Sequence, residues 1–156
     1  MKKAALLILN LEEIRRRSKL LWSGLPEEFY FWKPDPEAMT AIEIIRHVLG
    51  ADYGWDVIIT NNGDMTDFQS PWEGRPYISL ADELEFAAPY RQAFLERING
   101  FSDAALETTE IIHPGNGQKR KLEDYLLRIG YHESVHAGQF ISYLRAIGVA
   151  RPFIWD

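Results

Sequence analysis

Four stretches of this chain repeat apolar residues at steps of three and four, the mark of a single buried helix face, which points to a helical bundle. The first stretch carries Leu7, Leu11, Ile14 and Leu21, with small Ser18 between the last two, and ends near Ser23-Gly24 with Pro26 just beyond. The second opens at Thr40-Ala41-Ile42-Glu43, the form of a capping box in which a hydroxyl and a carboxylate satisfy backbone donors at a helix start. It runs from about residue 40 to 60 with Ile44, Val48, Ala51, Trp55 and Ile58 in one stripe, and His47 lies against that stripe. The third begins at Ser79 with Asp82 three residues on, carries Leu80, Leu84, Ala87, Phe94 and Ile98, and stops at Asn99-Gly100. Pro89 falls inside it and predicts a kink near residues 85–89, or a helix broken in two there. The fourth, from about Leu122 to Ile147, sets Tyr125, Ile129, His132, His136, Phe140 and Tyr143 on one side and stops at Gly148.

Two connections are long, residues 24–39 and 61–78. Each could cross the length of a bundle, so neighbouring helices need not alternate in direction. Ahead of the last helix, Glu107 to Ile112 favours a strand, His113-Pro114-Gly115-Asn116-Gly117 a turn, and Gln118 to Lys121 a return, which together predict a small hairpin. The expected fold is all-α, a four-helix bundle with long crossover connections, and 156 residues suit one domain over 1–156.

Charge narrows the function classes. With 17 Lys and Arg against 23 Asp and Glu the formal net charge is −6, which repels phosphate backbones, so no nucleic-acid partner is expected. The one basic cluster, Arg15, Arg16, Arg17 and Lys19, reads as a solvated helix face. The absence of cysteine removes disulfides, thiolate metal sites and a cysteine nucleophile, leaving nitrogen and oxygen as metal ligands. The opening MKKAALLILN resembles a signal peptide until Asn10, Glu12 and Glu13 interrupt it, and no run approaches the roughly 20 apolar residues a bilayer requires. A cytoplasmic protein without a membrane partner is the expectation.

His132 and His136 stand four apart, about one turn along a single helix face, a spacing suited to sharing one metal ion. His47 also lies against the apolar side of its helix, so a bundle is expected to turn all three rings inward, where a shared cation would satisfy them. His132-Glu133-Ser134-Val135-His136 also matches H-E-x-x-H, the zinc-peptidase helix in which the Glu is general base. A peptidase of that kind needs a further ligand downstream, yet no His or Glu follows residue 136, and Ser142 stands where the extended motif has a His. His47 is the better third ligand. His113, beside Pro114 in the turn, has no partner at ligand spacing.

Two segments carry a family resemblance. Met39 to Asp52, centred on His47, looks like the second helix, with its single His ligand, of the DinB-like superfamily of YfiT-type proteins. Tyr131-His132-Glu133-Ser134-Val135-His136-Ala137-Gly138-Gln139, followed by Tyr143-Leu144-Arg145 and Gly148, resembles that family's H-x-x-H-H-R-G-Q signature. Val135 and Ala137 replace a non-ligand His and the Arg, and both ligand positions remain. The resemblance implies a four-helix bundle, commonly a homodimer, with a three-His divalent metal site open to a cavity. Nickel or zinc is the usual ion, with iron and manganese as alternatives. It also implies a small-molecule substrate, and for some members a low-molecular-weight thiol, in transferase, isomerase or hydrolase chemistry.

Three neutral imidazoles would leave the ion its full charge and an open position for water or a thiolate. Glu133, Glu43 and Gln139 are the candidate catalytic helpers, with helix capping for Glu43, solvent exposure for Glu133 and packing at a helix contact for Gln139 as their ordinary alternatives. Arg91, in the apolar stripe of the third helix, is the candidate for binding an anionic substrate, with an interhelical ion pair as its alternative. Trp22, Trp32, Trp55 and Trp72 read as core or cavity lining, and Trp155 as cover for a partner subunit. Three functions stay open: a metal-dependent enzyme, a non-catalytic metal or ligand-binding module, and a structural dimerising bundle.

Overall fold

The computed structural model describes residues 2–156. Its helices are α1 (Lys3–Ser23), α2 (Ala41–Thr60), α3 (Leu80–Gly100), the short α4 (Asp103–Thr108) and α5 (Leu122–Ala146), with a 3-10 turn at Glu27–Phe29. β1 (Glu110–Ile112) and β2 (Lys119–Lys121) form an antiparallel hairpin before α5, with Glu110 opposite Lys121. The capping box at α2 is formed: the Thr40 hydroxyl accepts from the Glu43 amide at 3.3 Å, and the Glu43 carboxylate accepts from the Thr40 amide at 2.6 Å.

Two local expectations are narrowed by the structure. Pro89 does not break α3, which runs unbroken from Leu80 to Gly100; Pro89 and Glu85, whose carbonyl the ring deprives of its donor, are both exposed, so water can take that bond. The strand expected from Glu107 starts only at Glu110, because Ser102 caps α4 by accepting from the Ala105 amide at 3.1 Å.

α1 packs against α5 and α3, and α2 packs against the same two helices. Consecutive α1 and α2 therefore face each other across the bundle, and residues 24–40 cross between them. The α1–α5 seam is close at Gly130, where an added Cβ would stand 3.0 Å from both Asn10 Nδ2 and Ile14 Cδ1. Among the described residues no helix is long and apolar enough to cross a membrane.

The core falls into two apolar clusters. One is built around Trp22, Ile45, Leu49 and Phe140, the other around Leu11, Phe94, Tyr125 and Ile129. Between them all four long helices contribute a charge. Buried Arg15 of α1 donates to Glu133 of α5 (2.8 and 3.1 Å) and to Asp52 of α2 (3.0 Å), and Arg91 of α3 donates to Asp52 at 2.9 Å and to the Leu11 carbonyl at 2.8 Å. Arg15 was expected on a solvated face; its position one turn after Leu11 and before Ser18 puts it inward, where two carboxylates meet it. Arg16 and Arg17 do lie outside. They hold the C-terminal segment, Arg16 through the Asp156 carboxylate at 2.9 Å and Arg17 through the Ile154 carbonyl at 3.1 Å. Trp155 on that segment is exposed.

Candidate metal centre

His47 comes from the α2 flank that faces α5, and His132 and His136 from consecutive turns of α5. Their ring centroids are 5.0, 4.7 and 4.6 Å apart, and each ring offers one nitrogen within 4.8 Å of the others. His47 Nε2 and His132 Nε2 are 3.0 Å apart. The rings do not point into the core as expected: His47 is exposed and the other two are half-buried. The α2–α5 seam, not the bundle axis, is where positions 47, 132 and 136 meet.

Partial desolvation, then the neighbouring His136, holds His47 below the usual imidazole pKa. Desolvation followed by the two other rings pushes His132 down to about 4. Both are therefore neutral at physiological pH and present lone pairs. His136 Nδ1 lies 2.9 Å from Gln139 Oε1. An amide oxygen only accepts, so Nδ1 carries the proton and Nε2 is left for the cluster.

Two unprotonated nitrogens at 3.0 Å repel unless a proton or a cation lies between them. Around a tetrahedral ion with ligands at roughly 2.0–2.1 Å, neighbouring nitrogens stand about 3.3 Å apart. The donor set and its spacing thus fit a divalent cation. Among the described residues no carboxylate belongs to the cluster.

The other candidates lie elsewhere. Glu133 follows His132 in sequence but, about 100° further round α5, is buried and bound to Arg15, so it does not stand where a peptidase general base would. The Glu43 carboxylate serves the α2 cap, whose backbone and hydroxyl bonds from Thr40 hold its pKa below the usual range. Arg91 is engaged by Asp52 and the Leu11 carbonyl, the interhelical ion pair rather than an open anion site. It borders a separate cavity with Lys19 and Glu96. Gln139 alone of the helpers touches a histidine of the cluster.

A cavity of about 340 Å³ opens beside His47 and His132. Its wall brings in Arg46, Gly50, Gly54 and Phe68, none of which the sequence singled out. The signal that could have found the glycines is their spacing, three and seven residues after His47 in the interior of a helix. Trp55 closes the other side, edge-on to His132 at 5.6 Å and to Tyr125 at 5.9 Å. Arg46 donates to the Arg75 carbonyl at 3.0 Å and pairs with buried Glu83, which also accepts from Trp72 Nε1 at 2.8 Å. Those bonds fasten the connection before α3 along the rim.

Comparison with solved structures finds the same fold in a DinB-like protein, YjoA, from Bacillus subtilis: 19% identity over 95% of this chain and 96% of that one, TM-score 0.69. YfiT from Bacillus subtilis, described as a probable metal-dependent hydrolase with an unusual four-helix bundle topology, aligns at 13% identity over 94% of this chain and 89% of that one, TM-score 0.70. A DinB-like protein from Bacillus cereus ATCC 10987 aligns at 20% identity over 92% and 91%, TM-score 0.62. No curated protein sequence matches. The model of the DinB superfamily matches residues 10–140, most of the chain including the three histidines of the cluster, and the protein belongs to that superfamily.

Proposed function

We propose that this protein is a metal-dependent enzyme acting on a small molecule by hydrolysis or thiol transfer, with His47, His132 and His136 as the metal ligands. The observation that carries this reading is the approach of three imidazoles with no carboxylate in their cluster, two of which, His47 and His132, border a cavity. YfiT, described as a probable metal-dependent hydrolase, supports it by likeness of fold. Zinc or nickel suits an all-nitrogen donor set best, with iron or manganese as alternatives. When bound, such an ion supplies Lewis acidity, lowering the pKa of water or a thiol at its open position and polarising a substrate carbonyl.

The chain's own residues do the rest. Gln139 fixes the His136 ring with Nε2 inward, a positioning role that typically matters tenfold or more for affinity, on the order of 10–100-fold. Trp55 and Phe68 shield the cavity from water on two sides. Glu43 and Glu133 act, on this reading, through the α2 cap and the buried ion pairs that hold the ligand helices.

Elemental analysis of untagged protein is expected to find one divalent ion per chain, lost in His136→Ala. The loaded protein is expected to turn over a thiol donor or a simple ester, and the variant is not. A metal-free protein, or one inactive across both substrate classes, overturns the enzyme reading. The want of a free acid or base near the histidines favours a second reading, a metal or small-ligand binding module. An exchangeable water on the bound ion excludes it.

A further inference from the structure

Helix propensity makes Gly54 an odd residue. It sits in the interior of α2, where glycine is the least favourable residue after proline. Nothing in the packing asks for it: a Cβ built there meets no heavy atom within 4 Å, and its φ is not in the left-handed region. One turn earlier, a Cβ on Gly50 would reach only ordinary contact with Trp72, at 3.4 Å. The space kept open at Gly54 is the cavity beside His47 and His132.

The chemistry of that cavity's wall is specific. Its floor is Gly50, Ala51 and Gly54, and its sides are Trp55, Ile58 and Phe68. The one full charge on the wall is Arg46, and its guanidinium is already paired with Glu83 and the Arg75 carbonyl. With about 340 Å³ it lies at the low end of small-molecule sites, roughly 300–1,000 Å³. Such a space takes a ring or a short acyl chain, and among the residues of its wall none offers a second anion a free partner.

We infer that the trough floored by Gly50, Ala51 and Gly54 seats a flat, uncharged apolar group of the substrate, holding its reactive polar end at the histidines. The inference rests on the metal-dependent reading above. It adds that the substrate is an amphiphile, aromatic or short-acyl, with its polar end at the ion. Aromatic edges from Trp55 and Phe68 and the flat glycine floor select planar groups.

Two hydroxamates that share a metal-binding head and differ only in the tail test it. On zinc-loaded protein, benzohydroxamate is expected to bind about tenfold more tightly than acetohydroxamate by calorimetry. Gly54→Leu fills the trough and is expected to erase that difference while leaving zinc and acetohydroxamate affinity within about twofold. Equal affinities in the wild type, an undiminished preference in Gly54→Leu, or loss of zinc from that variant overturns the inference. Gly54→Ala checks the premise: it is expected to raise the melting midpoint by about 2–4 °C, and a lowered midpoint would show that packing requires the glycine.

A metal-free arm separates this inference from the reading beneath it. Phenol titrated into metal-free protein is expected to shift the Trp55 indole resonance saturably, and not in Gly54→Leu. If zinc fails to bind while phenol shifts Trp55, the metal reading falls and the apolar seat stands. If zinc binds and phenol leaves Trp55 unmoved, the seat is wrong and the metal reading stands.

Discussion

His132 and Glu133 are neighbours in sequence, yet they belong to different regions of the molecule, one at a half-exposed seam and one in the interior. The His132 ring meets His47 at the solvent-facing α2–α5 seam, while the Glu133 carboxylate, about 100° further round α5, is buried against Arg15. α2 repeats the contrast, with His47 at the seam and Asp52 inside. The inner region pairs every charge, Arg15 and Arg91 against Asp52 and Glu133. The outer region gathers three like rings with no carboxylate in their cluster among the described residues. Buried charges persist only when paired, so the inner set is complete, whereas the outer set is complementary to something the chain does not supply.

The comparison breaks most sharply at Arg15. Removing one partner from a buried ion pair typically costs about 3–5 kcal/mol. Arg15→Ala is therefore expected to lower urea-unfolding stability by roughly that amount, while His132→Ala in metal-free protein costs under about 1 kcal/mol. Equal losses would mean that the two regions do not differ as described.

Metal sharpens the contrast from the other side. Zinc at a hundredfold excess over its dissociation constant is expected to stabilise the wild type by about 2.7 kcal/mol and His132→Ala not at all. A smaller effect follows from Gln139→Leu, which frees the His136 ring. Zinc affinity is expected to fall on the order of tenfold with little change in metal-free stability.

The contrast also reaches the pH dependence of stability. His132 is lowered from 6.5 to about 4 in the folded chain, so the unfolded chain binds its proton more readily. Stability of the metal-free protein is therefore fully present above about pH 6.5 and falls as pH drops toward about 4. His132→Ala should flatten that slope, and an NMR titration of the ring above pH 6 would contradict it.

Several of these features were legible in the chain. The Thr40–Glu43 box, the turn around His113 to Gly117 and the stop at Gly148 are local, and each forms where its residues predict. Pairing the His132 and His136 spacing with His47 named the three rings that come together, because i, i+4 neighbours share a face whatever surrounds them. Depth was not legible. Arg15 lies in a run of three arginines that differ only in helical phase, and Glu133 looks as exposed in sequence as any acid beside a histidine.

The sequence by itself determined four long helices, the caps at Thr40 and Ser79, the hairpin and the three rings, since periodicity and capping act within a few residues. Tertiary structure alone decided that α1 and α2 face each other across the bundle, that Arg15 meets two carboxylates inside, and that a cavity opens beside the histidines. Those outcomes depend on which helices become neighbours. That choice is made by the summed burial of whole faces, which no short stretch of residues encodes.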